Sequence, residues 1–124
     1  MIYKIFIKSF PKSGLFYVEQ TDTMVNVAFE DYMNGMMGEY YTIVEALDFC
    51  LKNGIEQVIV CSRQNCVVST LCGKSSIRDE KTVEIYKVIF RMAKLFKKLT
   101  IKLVPEREFP KPCRKHSLKK LKRS

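Results

Sequence analysis

The residue whose position most suggests chemistry is Arg63, which directly follows Ser62 at the end of an apolar, β-branched segment, Val58–Cys61. That segment is typical of a buried strand, and the carboxyl ends of parallel strands carry the active site in many α/β folds. A guanidinium at such an end is suited to phosphate, because its planar donors match the geometry of phosphate oxygens. Arg63 is therefore a candidate phosphate contact.

The other reactive side chains do not suggest covalent catalysis. A nucleophilic serine or cysteine needs a base and a residue that orients the base. The single histidine, His116, lies in a lysine-rich C-terminal stretch, where a surface role is the simpler interpretation. The sequence also has no glycine-rich phosphate loop. Neither a catalytic triad nor a nucleotide-binding loop is predicted.

Positive charge is concentrated at the C-terminal end of this chain of net charge +9. Residues 105–124 contain eight basic and two acidic side chains, whereas residues 1–104 contain 14 and 11. A basic tail commonly contacts phosphate backbones, although it can also be a solvated end that only aids solubility. We predict nucleic-acid contacts by the tail and by a lysine-rich helix face, at Lys94, Lys97, Lys98, Arg114, Lys115, Lys119, Lys120, Lys122 and Arg123.

Composition predicts a single domain kept inside a cell. The 124 residues are 47% hydrophobic, enough for a modest core. Apolar runs are much shorter than the roughly 20 residues of a membrane span, and the N-terminal segment reads as a strand and not as a signal peptide. The five cysteines are odd in number and lack the spacing of a metal site. We expect reduced, structural thiols in the cytoplasm or an organelle interior, with no membrane partner, bound metal or cofactor.

Periodicity predicts an α/β domain over residues 1–104 and a basic tail over 105–124. Residues 2–10, which mix β-branched and aromatic side chains, and residues 14–20 are predicted strands, and period-two alternation predicts a third strand over 24–30. Their short connections favour an antiparallel meander. A loop at Asn34, Gly35 and Gly38 precedes a helix that Gly54 terminates. The predicted elements that follow are a strand over 58–61, a short helix over 65–71, a long helix over 82–99 and a strand over 101–104. The tail can form one last short helix around 116–121.

Two segments of this sequence resemble ribonuclease H of the HI type. The stretch GEYYTIVEALDFCLKNGIEQVIVCSRQNCVVSTLCGK is similar to the family's central helix, strand and second helix. The stretch TVEIYKVIFRMAKLFKKLTIKLVPERE is similar to its long helix and last strand. The resemblance implies a ribonuclease H-like fold, in which a five-stranded mixed sheet has a three-strand antiparallel meander, then two parallel strands, with flanking helices.

The resemblance also identifies the positions at which this chain departs from the family. Family members cut the RNA strand of an RNA–DNA hybrid with two magnesium ions held by four carboxylates. Matched by motif, the four positions are Lys8 (or Ser9 if the register shifts), Glu39, Arg63, and His116 or Ser117. One acid and two cations would repel two dications, so the resemblance implies a degenerate member without two-metal nuclease chemistry. We also expect a salt bridge between Arg63 and Glu39, which can coexist with phosphate binding.

Three functions are compatible with the sequence. The first is a non-catalytic ribonuclease H-like module that binds RNA or a ribonucleoprotein through the tail and the lysine-rich face. The second is a protein-interaction or scaffold subunit of a larger assembly. The third is a residual metal-dependent ribonuclease that acts on RNA–DNA hybrid and uses Glu39 with Glu106 or Glu108.

Overall fold

A computed structural model describes residues 1–74, 76 and 79–114, which form five strands and three longer helices. The strands are β1 (Tyr3–Ser9), β2 (Ser13–Val18), β3 (Thr23–Ala28), β4 (Gln57–Ser62) and β5 (Lys98–Leu103). The helices are α1 (Gly35–Lys52), α2 (Asn65–Leu71) and α3 (Glu80–Ala93), and a 3-10 helix spans Glu106–Glu108.

The strands form one mixed sheet in the order β3-β2-β1-β4-β5. β1, β2 and β3 pair antiparallel, whereas β4 pairs parallel with both β1 and β5. The predicted meander followed by two parallel strands is confirmed. Helix α1 provides the crossover from the edge strand β3 to the central strand β4. This topology places the carboxyl ends of β1 and β4 side by side.

Helix α1 starts earlier than predicted and packs closely on the sheet. Asn34, which was expected in a loop, is its N-cap and accepts a hydrogen bond from the Met37 amide at 2.9 Å. Gly14 of β2 permits the close approach, since a Cβ there would lie 2.0 Å from Thr42 Oγ1. The helix ends as predicted, with Gly54 at a φ of +69° just beyond it.

The prediction of one helix over 82–99 is wrong, because α3 ends at Ala93. The amides of Lys97 and Lys98 both donate to the Glu56 carbonyl, at 2.9 and 3.2 Å, and this starts β5 beside β4. Strand pairing thus overrides the helical periodicity of the segment. Lys94, Lys97 and Lys98 consequently lie at a helix end, in a turn and in a strand, and do not share one helix face.

Each face of the sheet has its own apolar layer. On one face, Ile5 and Ile7 of β1 pack with α1 and α3. On the other face, Phe6 packs with Phe109 and Cys113. Residues 105–114, which the sequence interpretation placed in the tail, therefore cover one side of the sheet. The predicted last helix around 116–121 lies outside the described residues.

No helix in the described part of the chain is long and apolar enough to cross a membrane. All five cysteines are unpaired; Cys50, Cys61 and Cys113 are buried, whereas Cys66 and Cys72 are exposed. Burial raises the pKa of Cys50 to about 12, so this thiol stays protonated and behaves as a small apolar side chain.

Candidate functional site

Glu39 lies in the second turn of α1, where it is fully buried and surrounded by hydrogen-bond donors. Ser9 at the end of β1 donates to Oε1 at 2.8 Å, and Ser62 at the end of β4 donates to Oε2 at 2.5 Å. The Gln64 side-chain amide approaches Oε1 at 3.4 Å. The carboxyl ends of the two parallel strands thus converge on one carboxyl group.

The two strand residues that meet Glu39 are serines. Of the two residues matched to the strand-one position, Ser9 contacts Glu39, whereas Lys8 contacts Glu106. On β4 the contact comes from Ser62, one residue before Arg63. The strand residues that contact Glu39 are therefore Ser9 and Ser62, and not Lys8 and Arg63.

The environment of Glu39 favours its neutral form. Burial raises the pKa of Glu39 above its ordinary value of 4.5. Hydrogen bonds from Ser62 and Ser9, and then the positive charge of Arg63, act in the opposite direction but do not cancel the effect of burial. A buried carboxyl with a raised pKa and two hydroxyl neighbours is a weak ligand set for a hard dication, which prefers several ionised oxygens.

Replacing Glu39 by glutamine is expected to make stability less dependent on pH. Because the pKa of Glu39 is higher in the folded state than its ordinary value of 4.5, folding favours the protonated carboxyl group. Glu39 therefore adds to the free energy of unfolding at pH values below 4.5, and this contribution is lost as the pH rises through the folded-state pKa. The free energy of unfolding of Glu39→Gln, relative to wild type, should therefore increase between about pH 4 and pH 7. Urea unfolding at both pH values measures it. A difference that stays constant or decreases with pH would contradict the assignment.

Arg63 forms its ion pair with Glu106, and the predicted salt bridge to Glu39 is wrong. Arg63 NH1 lies 2.7 Å from Glu106 Oε2, and Lys8 Nζ lies 2.6 Å from Oε1 of the same carboxylate. The hydrogen bond from Lys8, followed by the charges of Arg63 and Lys8, lowers the pKa of Glu106, so this carboxylate is ionised at neutral pH. Arg63 remains near enough to Glu39 to affect its pKa.

The other predicted contact residues are distributed unevenly. Lys94, Lys97 and Lys98 are exposed, and Lys94 Nζ also lies 4.8 Å from the centre of the Phe90 ring. Arg114 is partly buried at the end of the described chain. The remaining predicted residues, namely Lys115, His116, Lys119, Lys120, Lys122 and Arg123, lie outside the described residues.

The residues present do not fit a pair of magnesium ions held by carboxylates. Across 1–74, 76 and 79–114, no group of three or more histidine, cysteine, aspartate or glutamate side chains is arranged to hold a metal ion. Of the two acids named as possible partners of Glu39, Glu106 is already paired with two cations and Glu108 is exposed on the same turn. The arrangement can accept and donate hydrogen bonds and can present positive charge.

Sequence reasoning missed Ser62, Gln64 and the pairing of Lys8 with Glu106. The signal that would have identified Ser62 is the alternation of β4, since Val58 and Val60 face α1 and the next residue on that face is Ser62. The same rule along β1 takes Ile5 and Ile7 to Ser9. No local pattern indicates the contact between Lys8 and Glu106, which are separated by 98 positions in the chain.

Comparisons with known proteins bear on the family and the fold. The sequence profile of a family described as reverse transcriptase-like matches residues 18–115. A search of curated proteins finds no match to this chain.

Three solved structures are similar in fold at low sequence identity. Ribonuclease H1 of Halobacterium salinarum NRC-1 has a TM-score of 0.75 at 11% identity, covering 86% of this chain and 87% of that chain. The N-terminal ribonuclease H domain of a Mycobacterium tuberculosis protein has a TM-score of 0.67 at 17% identity, covering 83% and 88%. LC11-RNase H1, in complex with an RNA/DNA hybrid, has a TM-score of 0.72 at 13% identity, covering 86% and 86%.

Proposed function

Because the chain belongs to the reverse transcriptase-like family and has a ribonuclease H-like fold, we propose that it is a non-catalytic nucleic-acid-binding module. Its ligand is RNA, alone or in a ribonucleoprotein, or an RNA–DNA hybrid such as the one bound by a structural neighbour. The single observation that supports the loss of two-metal chemistry is the pairing of buried Glu39 with Ser9 and Ser62, where a metal site needs ionised oxygens.

The proposed binding surface consists of basic side chains. Exposed Lys94, Lys97 and Lys98 follow the end of α3, and the C-terminal residues supply further cations. Contacts of this kind are made to phosphates, so they provide affinity without selecting a base sequence. The predicted ligand is recognised through its backbone.

Binding of a labelled RNA–DNA hybrid is expected to weaken steeply with salt. If four phosphates are neutralised, affinity should fall about 100-fold between about 50 and 200 mM salt. Removing residues 115–124, which contain five lysine and arginine residues, should lower both the affinity and the salt dependence. Fluorescence anisotropy measures both. The truncation leaves Phe109 and Cys113 in place, which a deletion from residue 105 would remove from the core.

Lys52→Gln is the control for the binding experiment, because Lys52 is an exposed lysine outside the proposed surface. It should bind the hybrid as wild type does. Binding that is indifferent to salt, or unchanged by the truncation, would contradict the proposal. The same hybrid, incubated with magnesium or manganese, should remain uncut by wild type and by Glu39→Gln alike. Cleavage by wild type that Glu39→Gln abolishes would establish the residual metal-dependent ribonuclease instead.

A groove beside α1 favours protein interaction as a second candidate function. It has a volume of about 800 Å³ and lies between the β3–α1 loop, α1 and α3. Its apolar lining includes Val44, Ile85 and Val88. Its charged lining is acidic on balance, with three acids and one base, namely Asp31, Asp79, Glu84 and Lys81. In a chain of net charge +9, this acidic lining suits a partner-protein segment that carries apolar and basic residues. This function would be favoured if the chain without residues 115–124 still bound a partner protein and the full chain did not bind the hybrid.

A further inference from the structure

The Glu106 carboxylate lies between two cations that are positioned by two neighbouring strands. Its Oε1 is 2.6 Å from Lys8 Nζ, and its Oε2 is 2.7 Å from Arg63 NH1. Lys8 belongs to β1 and Arg63 directly follows β4, which are parallel neighbours in the sheet. Each oxygen of the Glu106 carboxylate is thus bound by one cation, and both cations are positioned by central strands of the sheet.

The three charged side chains of this cluster differ in how much of each is exposed to solvent. The Lys8 side chain is 0% exposed, the Arg63 side chain 30% and the Glu106 side chain 43%. A buried ammonium requires an anion, because an unpaired charge in the protein interior is costly. Glu106 is therefore the most exposed member of the cluster. The buried Lys8 ammonium, whose other hydrogen bond is to the Cys113 carbonyl at 3.4 Å, has Glu106 as its counter-ion.

Glu106 lies on a short turn, whereas its partners lie at the ends of the sheet's central strands. The 3-10 helix Glu106–Glu108 is closed by local bonds, from the Glu108 amide to the Pro105 carbonyl and from the Phe109 amide to the Glu106 carbonyl, both at 2.9 Å. Val104 before the turn and Phe109 after it are buried. The Glu106 side chain can consequently rotate into solvent while the backbone on both sides stays packed.

A phosphate group can replace a carboxylate in such a cluster. It presents two oxygens to two cations in the same way, and arginine and lysine are the usual phosphate-binding side chains. The cluster also adjoins the carboxyl ends of β1 and β4, since Arg63 is near enough to influence the pKa of Glu39. We propose that Lys8 and Arg63 form a phosphate-binding site that the chain's own Glu106 occupies, and that a backbone phosphate of bound nucleic acid displaces Glu106.

The identity of the natural phosphate rests on the proposed function, but the site itself can be tested with inorganic phosphate. Thermal unfolding of the full chain is measured in phosphate and in chloride at equal ionic strength. In Glu106→Gln, phosphate should raise the Tm by roughly 5 °C relative to chloride, because the emptied site takes up the anion. Wild type should shift by less than about 1 °C, since Glu106 competes as an intramolecular ligand.

Glu108→Gln is the matched control, because it removes the same charge from the same turn at an exposed position. It should behave as wild type does. Adding Arg63→Met to Glu106→Gln should remove the phosphate effect. Equal shifts in Glu106→Gln and Glu108→Gln, or a full shift that persists without Arg63, would overturn the site.

Glu106→Asp provides a second test if the glutamine variant does not fold. It keeps an anion near buried Lys8 but shortens it by one methylene, so phosphate should stabilise this variant more than wild type. A shift no larger than that of wild type would refute the site.

Nucleic-acid binding separates this inference from the proposed function. Arg63→Met should weaken hybrid binding by roughly fivefold, whereas Arg107→Met, at an exposed neighbouring position, should change it by less than about twofold. If phosphate stabilised Glu106→Gln but wild type did not bind the hybrid, the phosphate site would be supported and the proposed function refuted. Hybrid binding unaffected by Arg63→Met would refute displacement by a backbone phosphate.

Discussion

Replacing Phe109 by alanine is expected to lower the free energy of unfolding by about 3–5 kcal/mol. Phe109 is 1% exposed and its ring lies 5.2 Å from that of Phe6 in an edge-on arrangement. The substitution would open a cavity between the sheet and the segment that covers it, at a position where the turn at residues 106–108 limits collapse. Urea unfolding of the full chain measures the change.

Phe90→Ala is the matched control for this prediction. Phe90 is 52% exposed on α3, where it stacks with Tyr86 and lies beneath Lys94. Its truncation should cost about 1 kcal/mol or less. If both variants lost similar stability, residues 105–114 would not be the packed layer described above.

Introducing aspartate at both Ser9 and Ser62 is expected to create a divalent-cation site. The double variant would place three carboxyl groups together at the ends of β1 and β4, around the buried position of Glu39. Without metal, uncompensated charge should destabilise it by on the order of 3 kcal/mol at neutral pH. Manganese or magnesium at about 100 times its dissociation constant should restore about 2.7 kcal/mol. Thermal unfolding with and without the metal measures this.

Ser9→Asn with Ser62→Asn controls for side-chain size without adding charge. Neither this variant nor wild type should be stabilised by the metal beyond its general salt effect. Equal metal-dependent stabilisation in wild type would show that the natural side chains already bind a dication, and would contradict the degenerate-site interpretation. A double aspartate variant that is insensitive to metal would show that Ser9 and Ser62 are not the ligand positions.

Much of the fold could be predicted from the sequence because its elements have clear local signals. Apolar residues between turn signals mark β1 and β2, and alternation marks β3. The helical spacing of Ile43, Leu47 and Cys50 marks α1, and Gly54 marks its end. The end of α3 could not be predicted in the same way. Leu95 and Phe96 continue the apolar pattern of the helix, and only pairing with β4 commits the residues that follow to a strand.

The candidate site was predicted less completely because motif matching does not specify side-chain direction. Glu39 was correctly placed on α1, although the helix begins four residues earlier, whereas near the end of β4 the residue selected was Arg63, whose ion pair is with Glu106. Lys8 and Arg63 have one partner in common, yet that partner follows them by 98 and 43 positions. Contacts between residues so far apart in the chain depend on the tertiary fold, and no periodic pattern in the sequence indicates them.

The opposite directions of Lys8 and Ser9 also determine how β1 aligns in the sheet. The strand's centre, Ile5-Phe6-Ile7, is apolar on both sides, so hydrophobicity alone distinguishes poorly between the native alignment and one slipped by a single residue. A slip would turn Lys8 toward Glu39 and take the buried cation away from Glu106. The polar residues Lys8 and Ser9 therefore specify the register of β1, because the apolar centre of the strand would pack in either register.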